Sequence, residues 1–143
     1  MAVEYSYPLA QTVAEDENII FLDGERACRK GYITHRSGSG VFRLKGAGNA
    51  CKTVYRVTFN ANIAVAAGGT VGAISVALQE DGETLQNAIA TVTPTVAEMF
   101  FNVSLTTFIT IPCGCCVTVS VENISDGTAI DVSNSNIIID RVA

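Results

Sequence analysis

The chain has 143 residues, a length for one domain, and 48% of them are apolar, with six Phe, four Tyr and no Trp. That is enough to build a core, which argues against disorder. Charged residues are 16% of the chain, below the roughly 25% of an average soluble domain, so the surface reads as one that is hidden in part against copies of itself or a partner.

No stretch reaches the ~18 uninterrupted apolar residues of a membrane span. The first residues, MAVEYSYPLAQTVAEDENIIFL, have no basic or apolar block of a secretory signal and are acidic. Synthesis and folding in the host cytoplasm are the expectation. The net charge of −5 conceals an asymmetry. Arg26, Arg29, Lys30, Arg36, Arg43, Lys45, Lys52 and Arg56 form a window without Asp or Glu, and both flanks are acidic. This window is either a solvated face or a docking surface for an acidic protein partner, with Arg26, Arg29, Lys30, Arg36, Arg43 and Lys45 as the docking residues. Nucleic acid is not expected: the balance is acidic and no aromatics interleave with the bases.

Residues 1–17 are polar, carry Pro8 and the run Glu15-Asp16-Glu17, and read as an extended N-terminal arm and anchor. From residue 18 onwards period-two alternation dominates and defines one domain, 18–143. Asn18 to Leu22, Tyr32 to Arg36 and Val41 to Lys45 are short strands, the last two parted by Ser37-Gly38-Ser39-Gly40. From Val54 to Val65, Tyr55, Val57, Phe59, Ala61 and Ile63 point one way, while Arg56, Thr58, Asn60 and Asn62 point the other. That is a strand with one buried and one wet face.

Ile74, Val76 and Leu78 open the next strand, which turns at Asp81-Gly82, a pair suited to the positive φ angles of a tight hairpin. Thr84 to Val92 returns. Met99 to Ile111, Val117 to Val121, Ala129 to Val132 and Asn136 to Val142 complete the set. Eight to ten antiparallel strands without a helix predict an all-β sandwich or barrel.

Catalytic chemistry finds little footing. His35 is the single histidine and sits beside a Gly/Ser turn, with no triad partner near it in sequence. SGSG, GAG and AAGG lack the strand-to-helix context and the lysine of a phosphate cradle. Glu80, Asp81 and Glu83 lie on a hairpin tip, outside any cleft of the glycosidase type. No cofactor is implied. The five cysteines, Cys28, Cys51, Cys113, Cys115 and Cys116, cannot all pair within one chain. Cys113-Gly114-Cys115-Cys116 lacks the Cys-x-x-Cys spacing of a zinc site. Packed thiols, a disulfide to Cys28 or Cys51 or between subunits, and a metal held by Cys113, Cys115 and Cys116 remain three readings of the cluster.

Four segments, VYRVTFNANIAV, AISVALQEDGETL, FITIPCGCCVTVSVENISDGTAIDV and NIIIDRVA, carry a further signal. In order they resemble the tumour-necrosis-factor and complement globular-head superfamily: an aromatic-rich strand, a hairpin with a D-G tip, a hydrophobic-Pro-x-Gly turn into a Val-rich strand, and a closing strand. The likeness is greatest to the phage and bacterial heads of collagen-like fibres. It covers about residues 40–143 and implies a single-domain jelly-roll β-sandwich that forms homotrimers, with Tyr55, Phe59, Phe100, Phe101 and Phe108 divided between core and trimer interface.

The chain departs from that pattern in lacking a Gly-X-Y stalk. Together with the acidic arm and the basic window, this leads to an expectation of a non-enzymatic phage structural protein. It would be a head-decoration or head-fibre protein that binds a capsid protein and is displayed on the virion surface. A receptor- or glycan-binding fibre tip, with Tyr5, Tyr7 and Tyr32 as sugar-stacking candidates, and the head of a bacterial collagen-like surface protein are the alternatives.

Overall fold

A computed structural model describes residues 2–22, 32–46 and 51–143. Ten strands run antiparallel: β1 (Ala2–Tyr7), β2 (Gln11–Val13), β3 (Ile33–His35), β4 (Phe42–Lys45), β5 (Lys52–Val65), β6 (Ile74–Glu80), β7 (Glu83–Val92), β8 (Phe101–Pro112), β9 (Cys116–Asn123) and β10 (Ile130–Arg141). Sheet A has the order β1-β10-β5-β8, with β2 also on β10, and sheet B the order β3-β4-β9-β6-β7. Two five-stranded antiparallel sheets packed face to face make the jelly-roll sandwich that the sequence predicts.

The alternation in β5 is carried out as read. Tyr55, Val57, Phe59 and Ile63 are fully buried, while Arg56 is exposed. Across the gap they meet Phe42 and Leu44 of β4 and Val119 and Val121 of β9. Phe21 lies edge-on to Phe59 and against Phe42. Tyr55 is a fully buried aromatic with a polar end, and its hydroxyl donates to the Lys45 carbonyl at 2.7 Å, which ties sheet A to sheet B. Asp81 and Gly82 both take positive φ, 51° and 83°, so the β6–β7 hairpin has the tight turn expected of Asp-Gly.

Three readings change. The N-terminal segment is extended, as predicted, but residues 2–7 and 11–13 lie within sheet A as β1 and β2, both paired with β10. Val3, Tyr5 and Val13 are buried in the core, so residue 17 marks no structural boundary. Asn18 to Leu22 is not a full strand: it makes a single bridge, Asn18 to Glu122, yet delivers Ile19 and Phe21 to the core. The two predicted closing strands are one, β10, which carries an irregularity between Ser133 and Asn136. Asn134 takes φ 53° there. The extra residue re-phases the strand, so Ile130 and Val132 face inwards before it and Ile137 and Ile139 after it.

Buried Asn123 joins the N-terminal segment to the rest. Its amide donates to the carbonyls of Val13 and Thr128 at 3.0 and 3.1 Å, and its carbonyl accepts from the Ser125 N–H. All the capacity of a buried amide is used but one lone pair. Nearby, burial raises the Glu122 pKa above its ordinary 4.5 and the Asp16 charge adds to the rise. Glu80 is raised in the same way by burial and then by Asp81.

Four outcomes follow for denaturation measurements. Phe59→Ala should cost about 3–5 kcal/mol through the cavity it leaves, and removing residues 2–13 should abolish cooperative unfolding because β10 loses a whole edge. Gly40→Ala should cost about 1–3 kcal/mol, since its Cβ would lie 2.6 Å from the Ile19 carbonyl oxygen, held in place by the Ile19 N–H bond to Val121. For Glu122, the folded state holds the proton more tightly than the unfolded chain. Stability from this group is therefore full below the ordinary carboxylate pKa and is lost as pH rises through the raised one. Glu122→Gln should raise Tm at pH 7, and the gain should vanish in acid.

Candidate functional site

The outward faces of the two sheets differ in chemistry. On sheet A, β5 and β8 pair in register from Lys52–Pro112 to Ile63–Phe101. Their outward side chains bond across the strands: Asn102 to Asn62 at 3.1 Å, Ser104 to Asn60 at 2.7 Å, and Thr106 to Thr58 at 3.4 Å. The centre of this face holds no charge. At one end Arg56 and Asp140 form an ion pair at 2.9 Å, the one ion pair among the described residues. Phe108 stands between, opposite Arg56, and is 62% exposed. Phe100 and Phe101 are exposed at the far end of β8, beside Met99 and Val96. The five aromatics singled out from the sequence thus divide cleanly. Tyr55 and Phe59 are core, and Phe100, Phe101 and Phe108 are surface.

Outward on sheet B lies a basic strip. Arg43 and Lys45 point to the same side of β4, with Arg36 just beyond β3, and all three are exposed. Among the described residues none of them meets a carboxylate at ion-pair distance. Arg26, Arg29 and Lys30, the other docking residues of the sequence reading, lie outside the described residues, as does Cys28. Lys52 sits at the start of β5 on the other sheet, and Arg141 lies 5.9 Å from the Tyr32 ring. The basic window of the sequence is therefore distributed over both sheets, because β3, β4 and β5 do not share one.

Among the described residues no three His, Cys, Asp or Glu side chains are placed to hold an ion. The Cys113 N–H donates to the Cys51 carbonyl at 3.2 Å, at the open ends of β8 and β5. Cys115 and Cys116 instead line a hollow of about 310 Å3 with Thr34, Arg43, Lys45 and Gly114. Arg43 Nη2 donates to Cys116 Sγ at 3.1 Å.

His35 is enclosed by aromatics. Its ring stacks on Phe42 at 4.3 Å and leans on Tyr5 at 4.7 Å, and its Nε2 lies 2.7 Å from the Ser39 carbonyl. A carbonyl only accepts, so Nε2 carries a proton, and the buried Nδ1 has no hydrogen-bond partner among the described residues. The ring braces β3 against β1. Of the tyrosines considered for sugar stacking, Tyr5 is buried, and Tyr7 and Tyr32 are half-buried, so they form no exposed platform.

The paired polar ladder beside Phe108 escapes a reading of the sequence alone. Alternation places Phe108 outward, but only the register of β5 against β8 shows that its neighbours are already bonded to one another.

No family model matches the sequence, and no curated protein matches it. Solved structures do. The structure of Eiger TNF from S. frugiperda superposes with a TM-score of 0.70 at 14% identity, covering 100% of this chain and 92% of the other. Murine APRIL at pH 5.0 gives 0.66 at 9% identity, covering 99% and 100%. The globular domain of zebrafish complement 1qA protein gives 0.56 at 14%, covering 96% and 94%. At these identities the likeness is one of fold, and with the strand order above it gives the chain the jelly-roll fold of tumour-necrosis-factor and complement globular-head domains.

Proposed function

We propose that the chain is a non-enzymatic structural protein: a homotrimeric jelly-roll module that docks on a capsid protein and is displayed on a phage virion, as a head-decoration or head-fibre protein. One observation carries the assembly half of this reading, the uncharged centre of the outward face of sheet A. Its polar side chains bond to one another across β5 and β8, so a second copy could cover them at little cost in lost water contacts. Phe108, 62% exposed at the edge of that face, supplies an apolar anchor of the kind that concentrates binding energy. Phe100 is exposed at the other end of the strand, beyond the polar ladder.

The docking half is supported by the basic strip on the opposite sheet. Arg36, Arg43 and Lys45 face away from the assembly face, so both surfaces can be occupied at once. Cations without carboxylate partners suit an acidic lattice, where complementary charge speeds and orients encounter. Like the trimer, the capsid partner and the virion surface are parts of this proposal.

Light scattering with and without reductant tests the assembly half. The expected mass is three times the 15.0 kDa protomer, unchanged by reductant. Phe108→Asp should yield a folded monomer, since the residue contributes little to the protomer core. A wild-type monomer at micromolar concentration would remove the trimer. Peptides of this chain in purified phage particles, released by raised salt, support the virion role; their absence from particles of the phage that encodes it rules that role out.

A further inference from the structure

We propose that the hollow between β3, β4 and the Cys113–Cys116 turn is an oxyanion site that takes a phosphate-class dianion. This goes beyond the assembly reading, although Arg43 and Lys45 also belong to the docking strip.

Donors, charge and room all favour an anion there. Arg43 and Lys45 are two residues apart on one strand and so project from the same side, about 7 Å apart along it. Both line the hollow, as does Thr34, which the ladder sets directly opposite Arg43. Arg43 has five N–H donors and directs Nη2 at Cys116 Sγ. The remaining guanidinium N–H groups, the three of the Lys45 ammonium and the Thr34 hydroxyl have no protein acceptor among the described residues. Among the described residues no carboxylate lines the hollow. The Asp81 carboxylate, which faces this sheet from the β6–β7 turn, is held on the other side of β9 by the Thr118 N–H at 2.9 Å and the Thr118 hydroxyl at 3.3 Å.

Two positive charges and a surplus of donors call for an anion that carries two negative charges and several acceptors. A tetrahedral phosphate does so, and a guanidinium can meet it with two parallel bonds. A single carboxylate would leave one cation unmatched. The hollow of about 310 Å3 is ten times the roughly 30 Å3 share of one water molecule, so a phosphate monoester fits as well as the free ion. The site is open to solvent, which sets the expected affinity in the millimolar range.

Cys116 provides the reporter, because its sulfur touches Arg43 and borders the hollow. Its alkylation by iodoacetamide can be followed by peptide mapping at pH 8. Inorganic phosphate should slow it about threefold, with a half-effect near ~1 mM, relative to sodium chloride of equal ionic strength. The slowing should be lost in Arg43→Gln and in Lys45→Gln, read as the ratio with and without phosphate for each variant. Lys52→Gln, on the other sheet, should keep it. The exposed positions of all three leave the fold intact, which thermal unfolding checks. A second arm uses O-phosphoserine: protection at lower concentration than phosphate identifies a monoester as the preferred occupant, and equal protection identifies the free ion. Phosphate acting no more strongly than chloride, or protection that survives both substitutions, would overturn the proposal.

Discussion

β10 is the strand on which sheet A depends. It lies between β5 on one side and β1 and β2 on the other, so nearly all its backbone groups are bonded and every inward residue is buried. Without it, β1 and β2 have no partner in sheet A, and β5 keeps only β8. The ladder between β10 and β5 runs almost the full length of both strands, interrupted by the one irregularity at Ser133–Asn136. That irregularity follows from the constraint itself. A long strand must keep apolar residues inward along its whole path, and a residue inserted in the left-handed conformation at Asn134 restores the phase when the sequence slips by one.

The parts legible in the sequence are those in which the two-residue period runs unbroken. β5 and β8 show it along most of their length and β6 and β9 over residues 74–79 and 117–122, and the inward sets of β5 are the buried ones. β1 carries the same signal in Val3 and Tyr5, but over too few residues to outweigh the polar, acidic segment after it; its place comes from pairing with a strand more than a hundred residues away. The break in β10 read as two strands for the same local reason: alternation fails at a bulge whether or not the strand continues. The division of the aromatics also needed three dimensions. Phe101 has the inward parity of Val103 and Leu105, yet lies at the end of the sandwich where no opposite sheet covers it.

Charge was legible in number but not in place. The basic window spans β3, β4 and β5, and the crossing from sheet B to sheet A between β4 and β5 sends its members to opposite faces. Arg56 is paired with Asp140 and Arg141 rests near Tyr32, whereas Arg36, Arg43 and Lys45 have no carboxylate partner among the described residues. The molecule thereby separates an uncharged patch, where polar groups answer one another across β5 and β8, from a strip of unpaired cations on the other sheet. A protein that must contact its own copies and something else at the same time needs such a separation.

The pairing of β1 with β10 also has a meaning in time. Val3 sits opposite Ile139, so β1 finds its place only when β10, more than a hundred residues further on, has emerged from the ribosome. At about 5–20 residues per second, that interval is on the order of ten seconds. Through it, Val3 and Tyr5 lie on an unpaired strand edge next to the exposed tips of other nascent chains. The polar residues interleaved with them, Glu4 and Ser6, and the acidic run that follows, place charge along that edge. The acidity of the opening segment can thus serve the growing chain as well as the finished molecule, by keeping neighbouring copies apart until β10 arrives.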